Sequence, residues 1–214
     1  MPNRRILLTA LGASLGLAAA TARSANGTDT VRGNRHTRIP NPLLYTHEGK
    51  AVRFYDDLIK DKLVVINMMY AACEGICPKS TTNLLHVQNG LGERVGRDIF
   101  MYSITLQPRH DTPAVLKEYV EMRGIKPGWL FLTGKPDDIE MIRRALGFYN
   151  PDPKVDGERS QHTGMVRIGN DAYDRWHMTP ALGDPEPIVE AILRAVRPAP
   201  GKSAAALAGA LKTG

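Results

Sequence analysis

Leu63-Val64-Val65-Ile66-Asn67-Met68-Met69-Tyr70-Ala71-Ala72-Cys73-Glu74-Gly75-Ile76-Cys77-Pro78 decides how the chain folds. Its first seven residues are short, apolar and partly β-branched, the pattern of a strand buried on both faces. Pro78 then announces a helix, because proline is favoured in a first helical turn. A residue before proline is pushed out of the α region, which makes Cys77 the expected N-cap. The two cysteines therefore sit where a buried strand hands over to a helix. A thiol at a helix N-terminus feels the positive end of the dipole and ionises more readily, and the thiolate is the form that binds metal or attacks a disulfide.

Outward from this stretch, strands and helices alternate. Leu84, Val87 and Leu91 recur at helical spacing, with Gly92 near the end of the run. Ile99 to Thr105 reads as the next buried strand. Thr112-Pro113 opens a helix with Leu116, Tyr119 and Val120 inward and Gly124 as its stop. Trp129 to Leu132 is a third strand, and Ile139, Ile142 and Leu146 mark a helix ended by Gly147. Strands over Thr163 to Ile168 and Ala172 to Trp176 are expected to flank a turn at Gly169-Asn170. Asp184-Pro185 opens a last helix with Ile188, Ile192 and Val196 inward. Residues 43 to 55, turning at Glu48-Gly49-Lys50, add an N-terminal β-hairpin at the edge. The order is that of an α/β, thioredoxin-like fold: a central mixed β-sheet flanked by helices on both faces.

The ends of the chain set the compartment. Residues 1–25 run from Asn3-Arg4-Arg5 through the uncharged stretch Ile6 to Ala20 into Ala20-Thr21-Ala22, the pattern of a cleavable signal peptide. The Arg4-Arg5 pair and the Ala/Gly-rich core resemble a twin-arginine signal. The stretch falls short of the ~20 residues that a spanning helix needs. Residues 26–39 form a polar linker, 40–197 a single domain, and 198–214 a flexible tail rich in Ala, Gly and Pro. The expected location is the periplasm or the extracytoplasmic face of a bacterial inner membrane, with membrane contact only through partners or an uncleaved signal. A net charge of +6, with no basic run interleaved with aromatics, gives no nucleic-acid signature. A structural disulfide is permitted in such a compartment, although a bridge closing so short a loop constrains the unfolded chain little.

Spacing favours metal capture over dithiol redox chemistry. Two intervening residues would be the dithiol-oxidoreductase pattern; here there are three, and Gly75 lets the loop fold both sulfurs toward one ion. Soft thiolates select copper(I) or zinc, and imidazole suits copper, so a histidine is expected to complete the site. His162 is the candidate, at the end of the polar, movable segment Asn150 to Ser160 and at the head of a strand. His36 and His47 read as solvated, His86 and His110 as surface or satisfied polar residues, and His177-Met178 as a weak pair. Met68 and Met69 read as core, with one of them beneath the cysteine loop.

Cys73-Glu74-Gly75-Ile76-Cys77-Pro78, Ser103-Ile104-Thr105 with Asp111-Thr112-Pro113, Trp129-Leu130-Phe131-Leu132-Thr133-Gly134 and the distal His162 together resemble the Sco/SenC family of copper-binding, thioredoxin-like proteins, over about Pro40 to Val196. The resemblance implies Cys73, Cys77 and His162 as ligands of copper, as Cu(I) or Cu(II). It also implies a metallochaperone role in assembling the copper site of cytochrome c oxidase, with an oxidase subunit or another periplasmic copper protein as acceptor. The enzymatic alternative is a thiol–disulfide oxidoreductase in which Cys73 and Cys77 are the redox pair and His162 accepts a proton. The sequence departs from the family's usual pattern at Met68 and Ala72, where aromatics are common, and at Gln107 and Gln161, where acids are frequent.

Overall fold

A computed structural model describes residues 39–73, 75–158 and 164–196. Glu74, His162, and the expected signal, most of the linker and the tail fall outside the described residues. Seven strands form one sheet in the order β2-β1-β5-β4-β3-β6-β7. They are β1 (Leu43–Thr46), β2 (Ala51–Arg53), β3 (Leu63–Met69), β4 (Phe100–Thr105), β5 (Trp129–Gly134), β6 (Met165–Asn170) and β7 (Arg175–Pro180). The central strands β3, β4 and β5 run parallel, and the flanking pairings of β1 with β5 and β6 with β3 are antiparallel. The sheet is mixed, as the element order predicts, and the N-terminal hairpin β1–β2 lies at its edge.

All seven residues of β3 are buried, and their alternation divides the interior in two. Leu63, Val65 and Met69 face a core built with α1 (Ile76–Leu91), α2 (Pro113–Met122) and α5 (Glu186–Val196). Val64, Ile66 and Met68 face a second core, closed by α3 (Pro136–Ala145), the hairpin and a π-helical segment over Phe54–Ile59 that has no sequence signature. Each helix presents the stripe expected of it: Leu84, Val87 and Leu91 in α1, Leu116 and Tyr119 in α2, and Ile139 and Ile142 in α3 are buried. Thr112 caps α2 by accepting from the Val115 N–H at 3.4 Å, and Gly92 ends α1 at φ +56°, a region that glycine enters without a Cβ clash.

Two local readings are corrected. The turn placed at Gly169-Asn170 lies within β6, which continues to Asn170; the chain reverses over Asp171–Tyr173, with Asp174 left-handed at φ 51°. Gly169 is there for close approach: a Cβ on it would fall 2.1 Å from the Trp176 ring across the β6–β7 pair. Moving the turn shifts β7 to Arg175–Pro180. The polar stretch after Asn150 also carries order, a short helix α4 (Pro153–Asp156) whose N-cap Asp152 accepts from the Lys154 N–H at 2.9 Å.

Candidate metal centre

The sheet register builds the site. β3 and β4 leave the sheet at the same end, with Met69 paired to Thr105, so the loop bearing the cysteines and the loop that enters α2 emerge side by side. The Leu106 N–H donates to the Met69 carbonyl at 2.7 Å and the Cys73 N–H to the Tyr70 carbonyl at 3.3 Å. The chain then enters α1 at Ile76, with Gly75 as N-cap. The helix thus starts two residues earlier than Pro78 alone suggests, and Cys77 lies inside its first turn rather than at the N-cap. The first four N–H groups of a helix have no intrahelical acceptor, so a proline anywhere in that turn forfeits nothing. One of those orphan donors, the Cys77 N–H, is instead directed at the Cys73 sulfur, 3.4 Å away.

Both thiols are nearly enclosed, Cys73 at 6% exposure and Cys77 at 1%, and no disulfide joins them. They lie in the core that also holds Met69, Leu84, Tyr119 and Val166. Burial by itself raises the pKa of Cys73, but hydrogen bonds from the Cys77 side chain, the Tyr70 side chain and the backbone at Cys77 and Gly75 outweigh it and leave the thiol below its usual value. The pair can therefore present a thiolate in a largely dry pocket, which suits capture of a soft cation or attack on a disulfide. Below it, Tyr119 OH lies 2.9 Å from the Thr81 hydroxyl, and burial pushes the phenol's pKa up, so it stays neutral.

Met69 is the methionine beneath the cysteine loop; Met68 faces the opposite core. Of the histidines, His86 and His110 are exposed as expected. His47 is half-buried rather than solvated: its Nδ1 accepts from the Phe131 N–H at 3.2 Å, because the β1–β5 pairing continues into the turn, where the His47 N–H donates to the Phe131 carbonyl at 2.8 Å. His177 lies in β7, with its Nε2 buried and lacking a hydrogen-bond partner. His162 is among the residues not described, and among the described residues no three His, Cys, Asp or Glu side chains converge as a metal cluster.

The chain after β7 is tied to α1 and to the residue before β6. Asn83 of α1 donates to the carbonyls of Ala181 at 2.8 Å and Gly183 at 2.7 Å, and the Ala181 N–H donates to the Gly164 carbonyl at 2.9 Å. A methyl placed on Gly164 would stand 3.4 Å from Leu182 and 4.0 Å from Ile76. Sequence reading missed a further group at the site, the carboxylate of Asp111, which accepts from the Ala71 N–H at 3.1 Å and from the Thr105 hydroxyl. Its sequence signals were its place before the Thr112-Pro113 helix start and in the Asp111-Thr112-Pro113 block of the family resemblance, neither of which assigns it a role.

Residues 39–197 match the SCO1/SenC protein family. Protein SenC of Rhodobacter capsulatus is 30% identical over 152 residues, covering 67% of this chain and 66% of that protein. The chain thus spans just under two thirds of that relative's length. Among solved structures, yeast Sco1 with copper bound is 21% identical at a TM-score of 0.61, over 81% of this chain and 98% of the other. BsSco, described as carrying a disulfide switch and as a member of the Sco family of cytochrome c oxidase assembly proteins, is 18% identical at a TM-score of 0.60, over 73% and 92%. At these identities the two structures show the thioredoxin-like fold that the chain shares with them.

Proposed function

The chain belongs to the SCO1/SenC family, and from that premise we propose that it is an extracytoplasmic copper metallochaperone acting in cytochrome c oxidase assembly. Cys73 and Cys77 hold copper as thiolates, His162 supplies the third donor, and the ion passes to an oxidase subunit or another periplasmic copper protein by exchange of soft ligands. The observation that carries this reading is the buried, unbridged thiol pair with the Cys77 N–H aimed at the Cys73 sulfur. Two thiolates favour copper(I), and a nitrogen donor extends the site to copper(II).

The geometry beside α1 supports His162 as that donor. Gly164 stands against Ile76, the neighbour of Cys77. His162 precedes Gly164 by two residues, a reach of roughly 7 Å of extended chain. The reading includes residues 1–25 as an export signal, 26–39 as linker, 40–197 as the copper-handling domain and 198–214 as a tail. No helix among the described residues is long and apolar enough to cross a membrane.

A second reading, reduction of a partner's disulfide, draws on the lowered pKa of Cys73 and on the disulfide switch named for BsSco. One thiolate attacks the partner's disulfide, the other resolves the mixed disulfide, and the pair leaves oxidised by two electrons while the partner gains them. Anaerobic copper titration of the reduced domain separates the two. We expect one copper per chain, an X-ray absorption shell of two sulfurs and at least one nitrogen, and loss of copper(II) but not copper(I) binding in His162→Ala. A shell without sulfur removes the copper site, and wild-type oxidase copper loading by His162→Ala in a deletion strain would favour the reductase.

A further inference from the structure

We infer that Asp111 is a positioning residue for the dithiol, a buried carboxylate that holds the cysteine loop in the geometry at which both sulfurs meet one ion; the inference rests on the copper reading above. β3 and β4 end in register, and the Leu106 N–H to Met69 carbonyl bond at 2.7 Å ties the two strand ends together. Asp111 supplies a further tie. Asp111 is 2% exposed, and one carboxylate oxygen, Oδ2, accepts from both the Ala71 N–H at 3.1 Å and the Thr105 hydroxyl. Ala71 is two residues before Cys73, so this bond fixes the backbone from which the first thiol springs.

The carboxylate is itself aimed. The Thr105 oxygen accepts from the Gln107 N–H at 2.8 Å, which turns its proton toward Asp111. The Asp111 and His110 N–H groups both donate to the Gln107 carbonyl at 2.9 Å, closing the loop that carries the carboxylate. A buried carboxylate is costly unless its oxygens are satisfied, and hydrogen bonds to a charged acceptor are about twice as strong as neutral ones. This arrangement is therefore stiff, and what it stiffens is the turn Tyr70-Ala71-Ala72 rather than the hydrophobic core. An amide oxygen at the same place could still accept from Ala71; a methyl group could not.

The test compares Asp111→Ala and Asp111→Asn with the wild-type chain in three measurements: copper(I) affinity by anaerobic competition, the sulfur shell by X-ray absorption, and the dithiol–disulfide equilibrium of Cys73 and Cys77 against glutathione. Asp111→Ala should bind copper(I) at least ~10-fold more weakly, as loss of a charged hydrogen bond implies. Its copper–sulfur distances should spread and its dithiol equilibrium should move, while Asp111→Asn restores all three. Wild-type affinity, sulfur shell and thiol equilibrium in a folded Asp111→Ala would overturn the inference, as would failure of Asp111→Asn to restore any of them. Should Asp111→Ala not fold, Thr105→Val removes the hydroxyl that aims the carboxylate, and wild-type values in that variant would equally overturn it. If wild-type copper carries no sulfur, the copper reading fails instead, and the thiol equilibrium alone decides the role of Asp111.

Discussion

The two faces of the sheet are built for different purposes. One face, under α1, α2 and α5, gathers soft and polarisable groups at the end of β3: Cys73, Cys77 and Met69, with Tyr119 beneath them. The other carries its special chemistry as hard charge. There Arg143, nearly buried, holds Asp156 at 2.8 Å and Glu140 at 2.8 Å and donates to the Phe148 carbonyl at 2.7 Å. This cluster fastens α4 to α3 and borders a cleft of about 310 Å³ that Gln107, Arg109 and His110 close from the other side. The difference teaches that a parallel strand buried on both faces lets adjacent residues, Met68 and Met69, belong to unrelated environments. Chemistry on one face should be separable from stability on the other.

The largest effects test that separation directly. Cys73→Ser should weaken copper(I) binding more than ~100-fold, beyond what loss of an outer partner of a ligand costs, while leaving unfolding by denaturant nearly unchanged. Arg143→Leu should do the reverse. Removing Arg143 leaves Asp156 with the exposed Arg144 guanidinium at 3.1 Å and the Asn150 N–H at 2.7 Å, so the cost in unfolding free energy falls at the lower end for a broken buried pair, about 3 kcal/mol, with copper(I) affinity held within about two-fold, as expected for independent sites. A copper defect in Arg143→Leu as large as that of Cys73→Ser would show that the two faces act as one unit.

A finer cut runs through the two methionines. Met68→Leu and Met69→Leu both conserve volume and should each cost less than about 1.5 kcal/mol. Because both are core residues, neither should alter the copper–sulfur shell seen by X-ray absorption. Loss of a sulfur scatterer in Met69→Leu alone would move that thioether from the packing beneath the loop into the ligand set.

Much of this division is legible in the chain. The apolar run of β3, interrupted only by Asn67, announces burial on both sides, and the cysteines follow at the strand end where parallel sheets place their chemistry. The stripes of α1, α2 and α3 point to the correct face because the 3.6-residue period is visible in single letters. What is not legible comes from contacts between distant residues. Gly169 and Asn170 look like a turn, yet Gly169 exists to admit the Trp176 ring, and Asn170 is buried, donating to the Ala195 carbonyl at 2.8 Å. Asp111 looks like one more acid near a helix start until the register of β3 and β4 brings Ala71 to it. His47 looks solvated until β5 pairs alongside it.

That last residue carries the smallest expected effect. Burial is the largest influence on His47 and lowers its pKa, with Lys117 acting in the same direction; Glu48 raises it, but not enough to restore the ordinary 6.5. The folded state therefore binds fewer protons than the unfolded state between its own pKa and 6.5, and stability rises with pH across that window. Protonation has a clear structural consequence, because Nδ1 must stay unprotonated to accept the Phe131 N–H. His177, lowered chiefly by burial and further by Arg167, Arg194 and Arg175, acts in the same sense from β7. Unfolding midpoints measured from pH 5 to pH 7 should rise in the wild-type chain, and His47→Asn, which keeps an acceptor but cannot titrate, should flatten part of the rise. An unchanged slope in His47→Asn, together with a flat profile in His177→Asn, would assign the pH dependence to His177 and leave the β1–β2 turn indifferent to protons.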